Sequence, residues 1–129
     1  MSRTALDLSP QELKVYDPGG AILRRTSAER LELTRIRRKA LHTARQAARL
    51  LRTEFGAQKV VLFGSLAQSG HFTRWSDIDL AAWGIPSERF YAAVAAVTGL
   101  SAAFQIDLVD PEYCHKTLRT FITQEGKEL

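Results

Sequence analysis

Two short segments decide the fold: Lys59-Val60-Val61-Leu62-Phe63-Gly64-Ser65 and, after a polar connection, Ser76-Asp77-Ile78-Asp79-Leu80-Ala81-Ala82. The β-branched run that ends at Gly64 reads as a buried strand. The second segment alternates charged and apolar residues, so as a strand it sends Asp77 and Asp79 to one face, with Ile78 and Leu80 entering the core. A loop over residues 65 to 75, with Gly70 in it, joins the two without a full crossover helix. A mixed sheet is therefore expected rather than an all-parallel one.

Downstream, Pro86 and Glu88 open a helix carrying Phe90, Ala93, Val94 and Val97, closed by Gly99. Phe104-Gln105-Ile106-Asp107-Leu108-Val109 reads as a third strand, and Asp110-Pro111-Glu112 as the start of a last helix. Leu118, Phe121 and Ile122 give that helix its apolar face, and Gly126 ends it. Upstream, Thr26 and Glu29 form a capping-box pattern ahead of a helix over 26–55. Leu33, Ile36, Ala40, Ala44, Ala47, Leu51 and Phe55 recur along it at spacings of three or four, and Gly56 stops it. Residues 1–25 hold Ser9-Pro10, Asp17-Pro18 and Gly19-Gly20 and read as an N-terminal arm. The expected architecture is an α+β fold: a small mixed sheet with helices packed on one face, preceded by a long N-terminal helix, with residues 26–129 as one domain.

The bulk numbers agree with that size of fold. The chain has 129 residues, 45% hydrophobic and 25% charged, which suits one compact domain. It has no apolar run long enough to span a bilayer and no secretory leader, so no membrane partner is expected. The lone Cys114 forms no internal disulfide and suits a reducing cytoplasm. The net charge of +4 is concentrated between Arg24 and Arg52, where arginines and Lys39 far outnumber Glu29 and Glu32. Such a stretch is either a solvated helix face or a surface for nucleotide phosphates, an acidic protein or nucleic acid, the last not favoured.

The chemistry sits on the carboxylates. Two nearby carboxylates repel and raise a pKa unless a cation lies between them. Hard oxygen ligands of this kind suit Mg²⁺. Asp107, flanked by Ile106 and Leu108, reaches the same face if its strand neighbours the Asp77–Asp79 segment, and three converging carboxylates make a two-metal site for phosphoryl chemistry. The plain alternative is a half-exposed strand. Gly64-Ser65 stands where a strand ends, and there a glycine lets the backbone approach a phosphate while the serine hydroxyl binds it.

Taken together, FGSLAQSGHFTRWSDIDL over 63–80 and FQIDLVD over 104–110 resemble the DNA polymerase β-like nucleotidyltransferase superfamily, and within it the minimal nucleotidyltransferase (MNT) family. The ending FITQEGKEL resembles that family's last helix, so the resemblance covers about residues 45 to 129. It implies two Mg²⁺ ions held by Asp77, Asp79 and Asp107, with ATP or another NTP as substrate. Gly64 and Ser65 would hold the β and γ phosphates, and Asp107 would help deprotonate an acceptor hydroxyl. One position departs from the family pattern: Gln68 stands where Arg is common. Many small members pair with a HEPN-type toxin and, as its antitoxin, transfer AMP to a tyrosine of it. The resemblance therefore implies an adenylyltransferase acting on a partner protein. The alternatives are a catalytically weak module of the same fold that neutralises or scaffolds a partner, or an enzyme acting on a small molecule.

Other residues carry less. His42, His71 and His115 lack metal-ligand spacing, although His71 lies in the connecting loop. Phe72 and Trp75 either pack over the loop or stack on a base. Arg74 reads first as a solvated loop arginine, with standing in for the missing arginine as the alternative. Cys114 reads as an ordinary helix residue.

Overall fold

The computed structural model describes residues 26–68 and 72–129. The expected N-terminal arm over 1–25 and the loop residue His71 lie outside the described residues. The chain divides into two compact units, Met1–Glu32 and Leu33–Leu129.

Helix α1 spans Ser27–Phe55. The Thr26 hydroxyl accepts the Glu29 amide at 3.1 Å, which satisfies one of the amides a helix start leaves without a partner. Ala40, Ala44, Ala47 and Ala48, with Leu51 and Phe55, form its buried face. Small side chains at these positions let a helix lie close to what it covers. Strand β1 follows at Lys59–Phe63, then a 3₁₀ turn at Ser65–Ala67 and strand β2 at Ile78–Trp83. Helix α2 is Ser87–Thr98, strand β3 Ile106–Val109, helix α3 Lys116–Glu125 and strand β4 Lys127–Glu128. The sheet order is β3-β2-β1-β4. β1 pairs antiparallel with both β2 and β4, while β2 and β3 run parallel, so the sheet is mixed as expected.

Strand alternation sorts the core. Val60, Leu62, Ile78, Leu80, Ala82, Ile106 and Leu108 meet α1 and α2, whose Ala93 and Val97 are fully buried. The opposite parity, Val61, Phe63 and Ala81, meets Ile122 of α3. Arg89 of α2 lies over the Phe55 ring at 4.8 Å and donates to the Glu54 carbonyl at 2.8 Å, which ties α2 to the end of α1.

Three local readings differ from the sequence expectation. Strands β2 and β3 start at Ile78 and Ile106, two residues later than read, which leaves Asp77 just before its strand. Asp110-Pro111-Glu112 forms a turn instead of a helix start: the Asp110 side chain accepts the Glu112 amide at 3.0 Å, and its carbonyl accepts the Tyr113 amide at 3.1 Å. Helix α3 begins later, where His115 Nδ1 accepts the Thr117 amide at 3.1 Å, so Cys114 lies in the turn ahead of the helix. Beyond α3, Gly126 lets the chain pass close to β1, because a Cβ there would strike Val61 and the Ile122 carbonyl. That passage seats β4 beside β1, with Leu129 N–H on the Val60 carbonyl at 2.9 Å.

Candidate active site

The site forms where β1 ends and β2 and β3 run side by side. Asp79 and Asp107 are direct register partners on the parallel pair β2–β3. Neighbouring strands lie about 4.8 Å apart, and residues in register share a face, so these carboxylates stand side by side on the sheet. Phe63, the last residue of β1, is the antiparallel partner of Asp79, so Gly64 follows directly beside that carboxylate. Gly64 has φ 76° and ψ −157°, a conformation side chains rarely adopt, and a Cβ there would fall on Asp79 Oδ2. Glycine is therefore required twice: to turn the chain, and to leave room for the carboxylate.

After Gly64, the 3₁₀ turn buries Leu66 and Ala67 and leaves Ser65 partly exposed. The Gln68 carbonyl accepts a bond from Arg37 Nη1 of α1 at 3.2 Å. An arginine from α1 thus reaches the backbone where the turn ends. Replacing Arg37 with Met is expected to loosen the end of this turn, with faster amide hydrogen exchange over residues 65–68 and little change at the centre of β1.

Asp77 lies in the approach to β2. Thr73 and Ser76 brace that approach: the Thr73 amide donates to Ser76 Oγ at 3.1 Å, and the Ser76 amide to the Thr73 carbonyl at 3.0 Å. Asp77 is exposed, yet its pKa is pushed above the ordinary value, first by lost hydration, then by the charge of Asp107 and a hydrogen bond to it. Asp79 is half-buried and its pKa rises to about 6, first through burial, then through the charges of Asp107 and Asp77. Gln105 Nε2 donates to Asp107 Oδ1 at 3.1 Å. This orienting amide and Arg37 were both missed in the sequence. Gln105 carried a signal, being two residues from Asp107 on the same strand side. Arg37 carried none.

The three acids chosen from sequence therefore come together with Gly64, while Ser65 sits on the adjoining turn. Other candidates separate from them. Phe72 is buried and packs on Phe104 with ring centroids 5.9 Å apart, a core role. Trp75 is 85% exposed in the segment leading to Asp77, so its ring is open to a ligand. His42 is exposed on α1, and His115 is a helix cap.

Among the described residues no group of three or more His, Cys, Asp or Glu side chains is placed to hold a metal ion. The three acids are hard oxygen donors whose mutual repulsion a cation would relieve, and in their chemistry alone they are of the kind that suits a divalent ion. Among the described residues, no helix is long and apolar enough to cross a membrane.

Comparison with known proteins agrees with this geometry. The family model described as polymerase beta, nucleotidyltransferase, matches residues 45–129. Among solved structures, a toxin–antitoxin with AMP-PNP is similar at 24% identity and a TM-score of 0.54, over 66% of this chain and 70% of that one. A mutant MntA–HpeT toxin–antitoxin is similar at 26% identity and a TM-score of 0.53, over 66% of this chain and 69% of that one. No curated protein matches the sequence.

Proposed function

The chain belongs to the polymerase β nucleotidyltransferase family, of its minimal type, and from that premise we propose that it transfers AMP from ATP to a hydroxyl of a partner protein. The observation that carries this reading is the register pairing of Asp79 with Asp107 beside the Gly64 turn. That arrangement sets an acidic face directly against a backbone able to receive phosphates.

In this reading Gly64 and Ser65 hold the β and γ phosphates, and Asp77, Asp79 and Asp107 would hold Mg²⁺, which when bound would supply positive charge against the triphosphate. The acceptor oxygen attacks the α-phosphorus in line, forming the new O–P bond as the bond from that phosphorus to the α,β-bridging oxygen breaks. Pyrophosphate leaves with that oxygen. Asp107 takes the proton of the acceptor hydroxyl, with Gln105 fixing its orientation. The protein contributes chiefly positioning and electrostatics, as in phosphoryl transfer generally.

A partner as acceptor is supported by the likeness to toxin–antitoxin structures, and a HEPN-type toxin is the partner we assign, with this chain as its antitoxin. The test is incubation with Mg²⁺ and α-labelled ATP, with and without a co-expressed HEPN-type partner, beside an Asp77→Asn/Asp79→Asn control. Label on the partner that disappears in the control is the expected result. Nucleotide binding without label on any acceptor would leave only a binding module, and label on a small molecule would replace the acceptor class.

A further inference from the structure

Helix α1 carries a surface that the transfer site does not use. Arg38, His42, Arg45, Arg49 and Arg52 follow one another at spacings of three and four. At 3.6 residues per turn they fall within about 40° of one line, which runs for about 21 Å along the helix. The line lies opposite the buried face made by Ala40, Ala44, Ala47 and Leu51. Arg38, Lys39, Arg45 and Arg49 are exposed, and none of the four forms an ion pair or side-chain hydrogen bond with another described residue. Arg52 is the exception, donating to the Leu129 carbonyl. Two shallow grooves flank the line, one of about 290 Å³ where Arg45, Arg49 and Arg52 border Ala48 and Leu129, the other of about 480 Å³ where Arg38, Lys39 and His42 border Ala103 and Phe104.

Uncompensated like charges repel one another, and an anionic ligand relieves that cost. The chemistry of the surface selects among anions. Protein interfaces also use arginine, but around large aromatic or apolar side chains at the centre of the patch. Yet the exposed large apolar side chains, Leu31, Trp75, Tyr91, Leu100, Tyr113 and Phe121, all lie outside the stretch from Arg38 to Arg52. Single-stranded nucleic acid is bound on aromatic platforms that stack its bases, and this stretch has none. What remains is a straight, rigid row dominated by guanidinium groups, whose fork matches phosphate oxygens. A duplex presents phosphates at the highest density, one charge per about 1.7 Å of axis.

We propose that the outer face of α1, through Arg38, Arg45 and Arg49, binds the phosphate backbone of a nucleic-acid duplex without reading its sequence. The acidic site lies on the sheet face of opposite parity to the one α1 covers, so binding and nucleotide transfer are separable.

The test is fluorescence anisotropy with a labelled DNA duplex of about 20 base pairs, of several sequences, over a salt series. Three phosphate contacts predict a log–log salt slope of about −2.7 and a Kd on the order of 10⁻⁵ M near physiological salt. Arg38→Glu/Arg45→Glu/Arg49→Glu is expected to weaken binding at least ~10-fold, with nucleotide transfer unchanged. Arg38→Lys/Arg45→Lys/Arg49→Lys is expected to retain most of it, since each contact is to charge. If the Glu variant melts early, the corresponding Gln variant serves in its place. Absence of duplex binding at low salt, a slope near zero, or binding indifferent to these changes would overturn the proposal. So would tighter binding to the single strand, or to a polyglutamate of equal charge, the latter pointing to an acidic protein instead.

Discussion

Asp79→Asn is expected to abolish most nucleotide transfer, by about 10²–10³-fold, while making the protein more stable above neutral pH. Both effects have one source. The carboxyl group of Asp79 is half-buried beside two others, and its pKa rises from 3.8 to about 6 in the folded chain. The folded state thus holds its proton to higher pH than the unfolded state does. Stability contributed by the neutral form is complete below about pH 4 and is lost as pH climbs through the window up to about 6. Above that window the folded protein carries an ionised group it disfavours. A shift of this size would correspond to roughly 3 kcal/mol if fully buried; screening by water on the exposed half reduces it to about 1 kcal/mol. Thermal melts at pH 5 and pH 8 check this. The wild type is expected to lose stability between them and Asp79→Asn to lose less. Added Mg²⁺ should restore the wild type more at pH 8 than at pH 5. A variant no more stable than wild type at pH 8 would place the cost elsewhere.

Gly64→Ala is expected to lose about 2–3 kcal/mol of stability and most of its transfer activity. The backbone at φ 76° is one that only glycine occupies without strain. The added methyl also displaces Asp79 from beside the turn. The two contributions separate in a double-mutant cycle, because Gly64→Ala in an Asp79→Ala background keeps the backbone strain and removes the clash. A coupling of about 1 kcal/mol or more between the positions is expected in urea melts. Strict additivity would mean that the carboxylate and the turn do not touch.

That Asp77, Asp79 and Asp107 would leave the core together was readable in the sequence, and the reason is alternation. Asp77 and Asp79 bracket Ile78, and Asp107 lies between Ile106 and Leu108, so apolar neighbours forced the acids out of the core. The register that sets Asp79 beside Asp107 follows from the parallel pairing of β2 with β3, which a single sequence does not encode locally. Asp110-Pro111 misled because a helix start and a tight turn draw on the same residue types, and His115 took over the cap. Strand β4 was missed because two charged residues, Lys127 and Glu128, carry no periodicity. Arg37 was missed because its partner, the Gln68 carbonyl, is a backbone atom far along the chain. Arg37→Met is therefore the variant that most directly measures what the loop needs from the helix.

The strand order has a kinetic consequence. Asp107 rides on β3, an edge strand with one neighbour, whereas Asp79 sits on β2 between two. Edge pairing opens locally at lower cost than pairing in the middle of a sheet. Amide hydrogen exchange is therefore expected to be faster around Asp107 than around Asp79, and equal rates would mean that the two strands open only together.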